Sequence, residues 1–175
     1  KEDILTTRYQ FKVVYINGVN RGVYALEEHF DKRLLEYRKR REGPIVKFDE
    51  NGVWQGYYDQ QKYQRGFKKF PYLEAAEILP FSKKRTRKNP ILLNQFILVQ
   101  SHMSRFRNLD TTFQEYLDLD KMARFIALCD VMNATHGLIW HNQRNYLNPV
   151  NGLLEPIAYD CFSGQPSIHY ELLGM

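Results

Sequence analysis

Residues able to do chemistry concentrate late in the chain, in Ile139-Trp140-His141-Asn142-Gln143-Arg144-Asn145-Tyr146-Leu147 and, after Pro156-Ile157-Ala158-Tyr159, in the acid Asp160. The order is a polar loop, a short strand, a turn, a second strand and an acid. Phosphoryl transfer uses that order, because an amide side chain and a carboxylate can hold a metal ion beside the phosphates of a nucleotide. The competing reading of Asp160 is a turn-forming acid that caps the following loop. For Asn145 it is a strand-edge amide bonded to backbone, and for His141 a partly buried ring held by carbonyls. His136, in Thr135-His136-Gly137, also fits a helix C-terminus. Trp140 reads as a packing residue or as an indole set beside a purine.

The elements that must position these residues are legible from periodicity. Tyr9 to Leu26 alternates as a hairpin around Asn17-Gly18-Val19-Asn20-Arg21-Gly22, whose residues tolerate positive φ. From Asp31 to Arg41 the period becomes helical, with Leu34, Leu35 and Tyr37 on one side, and Gly43-Pro44 ends it. Ile45 to Phe48 is a short strand in which Lys47 reads as an exposed position. Residues 53–88 are aromatic and basic, with one short helix near Pro71 to Leu79, and read as a long, partly ordered insertion. Asn89-Pro90 opens a helix as an N-cap followed by proline. Its apolar residues Leu92, Phe96, Val99, Met103 and Phe106 recur at helical spacing. A second helix, from Asp118 or Asp120 to about Ala134, carries Met122, Phe125, Ile126, Cys129 and Met132 on one face, widened by Leu128 and Val131, and is expected to be buried on more than one side. Strands at Asn145 to Leu147 and Leu154 to Tyr159 follow, joined by Asn148-Pro149-Val150-Asn151-Gly152.

The 175 residues, 43% hydrophobic and 26% charged, suit one globular domain rather than two. No apolar run is long enough for a membrane span. The net charge of +5 comes mostly from two clusters, Arg38-Lys39-Arg40-Arg41 and Lys83-Lys84-Arg85-Thr86-Arg87-Lys88. Such runs can bind polyanions, but no aromatic ladder suited to stacking bases accompanies them, which argues against nucleic acid. The two cysteines, Cys129 and Cys161, have no metal-ligand spacing, and the redox compartment stays open.

Three segments together resemble the CotH family of spore-coat and cell-surface proteins, whose domain is an atypical protein-kinase fold. They are Val14-Tyr15-Ile16-Asn17-Gly18-Val19-Asn20-Arg21-Gly22-Val23-Tyr24-Ala25-Leu26-Glu27-Glu28, Leu117-Asp118-Leu119-Asp120, and Trp140-His141-Asn142 with Leu154-Glu155-Pro156-Ile157-Ala158-Tyr159-Asp160. The resemblance implies an α+β, kinase-like fold containing part of the nucleotide-lobe hairpin, a helical lobe and the catalytic-loop hairpin, in a single domain cut at both ends. It implies ATP and magnesium as cofactors and Ser or Thr of a coat or surface protein as substrate. Asp160 matches the metal-binding acid after the last strand, with Asn145, or failing it Asn142, as its amide partner. The chain around Glu28 would pass the adenine, although Glu28 also suits the first turn of a helix. One departure concerns the catalytic Asp, which in kinases lies five residues before the metal-binding Asn. Here that position is Trp140, and no carboxylate stands between Asp130 and Glu155. A base must then be His141 or His136, whose ordinary pKa of about 6.5 allows proton acceptance near neutrality. Two further function classes stay open: an inactive kinase-like structural or adhesive module, and a polyanion binder using Lys83 to Lys88.

Overall fold

The computed structural model describes residues 2–63 and 72–161. Its centre is a five-stranded mixed sheet in the order β1 (Leu5–Thr6), β7 (Leu154–Ala158), β6 (Arg144–Leu147), β4 (Ile45–Phe48), β5 (Ile78–Pro80). β1 runs parallel to β7, with Leu5 opposite Ile157, and the other pairs are antiparallel. All four residues of β6 are buried, because both faces of the central strands are covered.

Successive side chains point to opposite faces of a strand, so the register divides the core in two. Ile45, Tyr146, Ile157 and Leu5 share one face and pack against Phe30 and against Leu34 and Leu35 of α1 (Lys32–Tyr37). Val46, Phe48, Leu147 and Leu154 share the other and meet Val99 and Met103 of α5 (Pro90–Arg107), together with Tyr116 and Trp140. α6 (Leu119–Val131) adds Phe125 and Cys129, which pack with Leu138 and Ala158.

Local signals explain most of these elements. Asn89 accepts hydrogen bonds from the amides of Ile91 and Leu92, which satisfies donors that the first turn of α5 leaves unpaired. Asp118 does the same for Lys121 at the start of α6. The β6–β7 turn closes through Gly152 N–H to Asn148 O at 2.8 Å, with Asn148 and Asn151 side chains accepting from Val150 and Leu153.

The first hairpin, β2 (Tyr9–Ile16) and β3 (Val19–Glu27), forms its own two-stranded sheet and is exposed along both faces. Its turn is narrower than the Asn-Gly-rich stretch implied. Asn17 and Gly18 alone make it, both at positive φ, and Asn20 to Gly22 belong to the return strand.

Three further readings change. The first helix stops at Tyr37, because Arg38 and Lys39 leave the helical path and Lys39 takes a positive φ. α6 is covered on one side only among the described residues: Ile126, Val131 and Met132 are exposed. Residues 53–88 hold most of α2 (Asn51–Tyr63), then α3 (Tyr72–Ala75), β5 and α4 (Lys83–Lys88), and β5 is a strand of the main sheet. The helix expected near 71–79 is thus a four-residue turn followed by that strand, while residues 64–71 lie outside the described residues.

Candidate functional site

Asp160 stands two residues beyond β7 and adopts a positive φ of 48°, which an aspartate tolerates better than most residues. Its side chain is close to half exposed. His136, in the 3-10 turn Thr135–Leu138 that follows α6, places Nδ1 3.0 Å from the Asp160 carbonyl and 3.2 Å from carboxylate Oδ2. Both are acceptors that an Nδ1–H can serve as a shared donor; Asn142 Nδ2, 3.2 Å from the same nitrogen, then directs its hydrogen to the His136 carbonyl. Asn142, buried in the next 3-10 turn, donates from Nδ2 to the His136 carbonyl at 3.0 Å. The chain therefore brings Asp160, His136 and Asn142 together, and the "polar loop" is two tight turns whose apolar members Leu138, Ile139 and Trp140 are buried.

Asn145 lies elsewhere. It is buried on the helical face of β6, where its amide contacts Met103 Sδ at 3.6 Å and borders an apolar cavity of 180 Å³ lined by Phe106, Met122, Phe125 and Leu138. Of the two amides, Asn142 is the one joined to Asp160 through His136. Trp140 is enclosed in the core, edge-on to Phe48 at 6.3 Å. Its packing role is the one the geometry displays. The His141 ring meets Trp140 and Trp54 edge-on, and its carbonyl accepts from Arg144 Nη1 at 2.6 Å.

Arg144 and Glu155 are the residues that pattern reading missed. The Arg144 guanidinium is buried on the face opposite Asn145, against the rings of Tyr159, Phe81 and Phe30, with Glu50 3.7 Å away. Burial lowers its pKa from the usual arginine range, and the carboxylates of Glu50 and Asp160 oppose that shift. Lys47 is not an open strand position: it pairs with Glu50 at 2.8 Å, and Trp54 Nε1 donates to the same carboxylate. Glu155 is fully buried and bridges Asn148, Arg40 and Lys121, tying β7 to α6 and to the chain after α1. A charged residue between Leu154 and Pro156 could have flagged it, since a buried acid requires paired cations.

Glu28 closes the hairpin. Its carboxylate is bound by Arg8, and its amide donates to the Arg8 carbonyl at 2.9 Å. It lines an open cavity of 380 Å³ with Arg8, Gln10, Leu26, His29 and Arg33. Phe30, two residues on, packs against Tyr159 at 5.1 Å, which links that cavity to the strand end carrying Asp160.

A family model described as CotH kinase protein matches residues 3–169, nearly the whole chain. The chain belongs to the CotH family. No curated protein sequence matches it. The α+β architecture agrees with the fold class expected of a CotH-family, kinase-like protein. No helix among the described residues is long and apolar enough to cross a membrane.

Proposed function

We propose that this chain transfers the γ-phosphoryl group of ATP to Ser or Thr side chains of a protein, of the coat or surface kind. The observation that carries the reading is the Asp160 carboxylate, half exposed just past a buried strand and fixed from behind by His136. Magnesium fits this donor: it takes hard oxygen ligands, commonly one or two carboxylates, and completes its shell with phosphate oxygens and water. Asp160 would hold that ion, with Asn142 as the nearby amide. The ion, when bound, would neutralise charge on the phosphates.

The chain's own residues supply the rest. His136 keeps Asp160 in place through its Nδ1–H, as outer-shell partners of metal-binding carboxylates do. The cavity beside Glu28 takes the nucleoside end, and the Glu28–Arg8 ion pair stiffens its wall. His141, in the turn beside Asn142, is the proton acceptor for the substrate hydroxyl. The test is transfer of label from γ-labelled ATP to a Ser-rich protein, with magnesium present. Asp160→Ala abolishes transfer and His141→Ala lowers it at least tenfold. Full activity of Asp160→Ala would remove the acid from the site, and an unchanged rate in His141→Ala would remove the base.

A second reading, nucleotide binding without transfer, is favoured by one observation. The position where kinases place the catalytic Asp is Trp140 when counted from Asn145 and Gly137 when counted from Asn142; both are buried and neither can accept a proton. In that case magnesium–ATP raises the melting temperature while no label is transferred. For a polyanion binder the support is thinner, since Arg85 of the basic helix α4 is already committed to Glu42 at 2.6 Å and Thr86 is buried.

A further inference from the structure

The two cysteines of the chain come from separate elements and meet beside Asp160. Cys129 is buried near the end of α6, in the cluster with Leu138 and Ala158. Cys161 is exposed, directly follows Asp160, and sets its Sγ over Gly137, so close that a Cβ built there would lie 2.7 Å from the sulfur. Both thiols thus flank the Gly137-Leu138 turn, Cys129 through Leu138 and Cys161 through Gly137. Both are free. One thiol open to solvent, with a second sheltered at the same turn, is the arrangement of a reactive cysteine and its resolving partner.

We propose that Cys129 and Cys161 form a reversible disulfide that tethers the Asp160 loop to α6. The oxidant is a hydroperoxide. Its O–O bond breaks as the Cys161 sulfur takes one oxygen, giving a sulfenic acid and, from hydrogen peroxide, one water. The Cys129 sulfur then displaces the hydroxyl, forming the S–S bond and releasing a second water. Two thiols lose two electrons and two protons, and the peroxide gains them. A disulfide requires its Cα atoms within about 7 Å of each other, so the cross-link holds Cys161, and with it the backbone of Asp160, against the helix. The oxidised chain keeps Asp160 turned to His136. This last consequence rests on Asp160 being the cation ligand; the disulfide itself does not.

Treating the full chain with one equivalent of hydrogen peroxide tests both parts. Intact mass falls by about 2 Da, both cysteines escape iodoacetamide after denaturation, and dithiothreitol restores them. Cys161→Ser and Cys129→Ser each abolish the change. Amide exchange at residues 158–161 slows on oxidation, and magnesium–ATP affinity rises about fivefold in the oxidised form, because Asp160 is then held in the position that His136 already favours. The disulfide is overturned if both thiols remain alkylatable, if Cys161 instead gains oxygen with Cys129 free, or if the link joins two chains. Unchanged exchange and affinity in a protein whose mass shows the cross-link would overturn the tether. If the reduced protein binds no nucleotide, the phosphotransfer reading fails while the mass and exchange results still decide the disulfide.

Discussion

His136 reaches Asp160 twice, at the carbonyl and at the carboxylate, and so restricts both backbone and side chain of the acid. Replacing it with Ala should weaken magnesium–ATP binding by about 10- to 100-fold, the usual effect of losing an outer-shell partner, while His136→Gln recovers part of the loss. Isothermal titration of the three proteins checks this. His102 gives a separate, stability-based prediction. It is buried between Tyr116, on which it stacks, and Gly152, whose carbonyl lies 3.2 Å from Nε2. Burial pulls its pKa below the ordinary 6.5. The unfolded chain therefore takes up a proton at a higher pH than the folded one. Stability is complete above about pH 6.5 and declines as pH falls toward the depressed folded value. Urea midpoints at pH 7.5 and 5.5 should differ, and His102→Gln should reduce the difference. A midpoint unchanged between the two pH values would show that the ring protonates without cost.

Helix α5 shows what single elements contribute. Its cap and apolar stripe were readable from Asn89-Pro90 and from the spacing of Leu92, Val99 and Met103, all of which are buried as the period requires. Asn89→Ala removes the cap and should cost about 1 kcal/mol, read as a lower urea midpoint with an unchanged slope. Gly137→Ala acts on the site through packing, because its new Cβ would stand 2.7 Å from Cys161 Sγ and 3.0 Å from the Tyr159 carbonyl. The turn must move away from the Asp160 loop, so nucleotide affinity should fall more than stability does. Helix α6 is less legible in the sequence. Its residues are apolar nearly all round, and periodicity cannot say which sides a neighbour covers, so Ile126 and Val131 were assigned to the interior. The direction of the Asn145 side chain is hidden for a related reason. Being adjacent to Arg144 on a strand covered on both faces, it points to Met103 while its neighbour points to Tyr159. Glu155 and Arg144 were invisible because their partners, Arg40, Lys121 and the Phe30–Phe81–Tyr159 rings, are distant in sequence.

At the scale of the molecule, the sheet and helices form a core on both sides of β6, whereas the β2–β3 hairpin stands outside it. Phe11 is 75% exposed and Val23 67% exposed, on a two-stranded sheet whose outer edges are unpaired among the described residues. Such a ribbon has little burial to hold it. Its amides should exchange orders of magnitude faster than those of β6 and β7; equal protection would mean that another surface covers the hairpin. The central claim concerns the end of β7, which delivers Asp160 to His136. The most direct test is calorimetric titration of ATP into the chain, with and without magnesium, for the natural sequence and Asp160→Asn. The site as described predicts magnesium-dependent binding that Asp160→Asn weakens at least tenfold with little change in melting temperature. Binding of equal strength in the two proteins, or binding indifferent to magnesium, would contradict it.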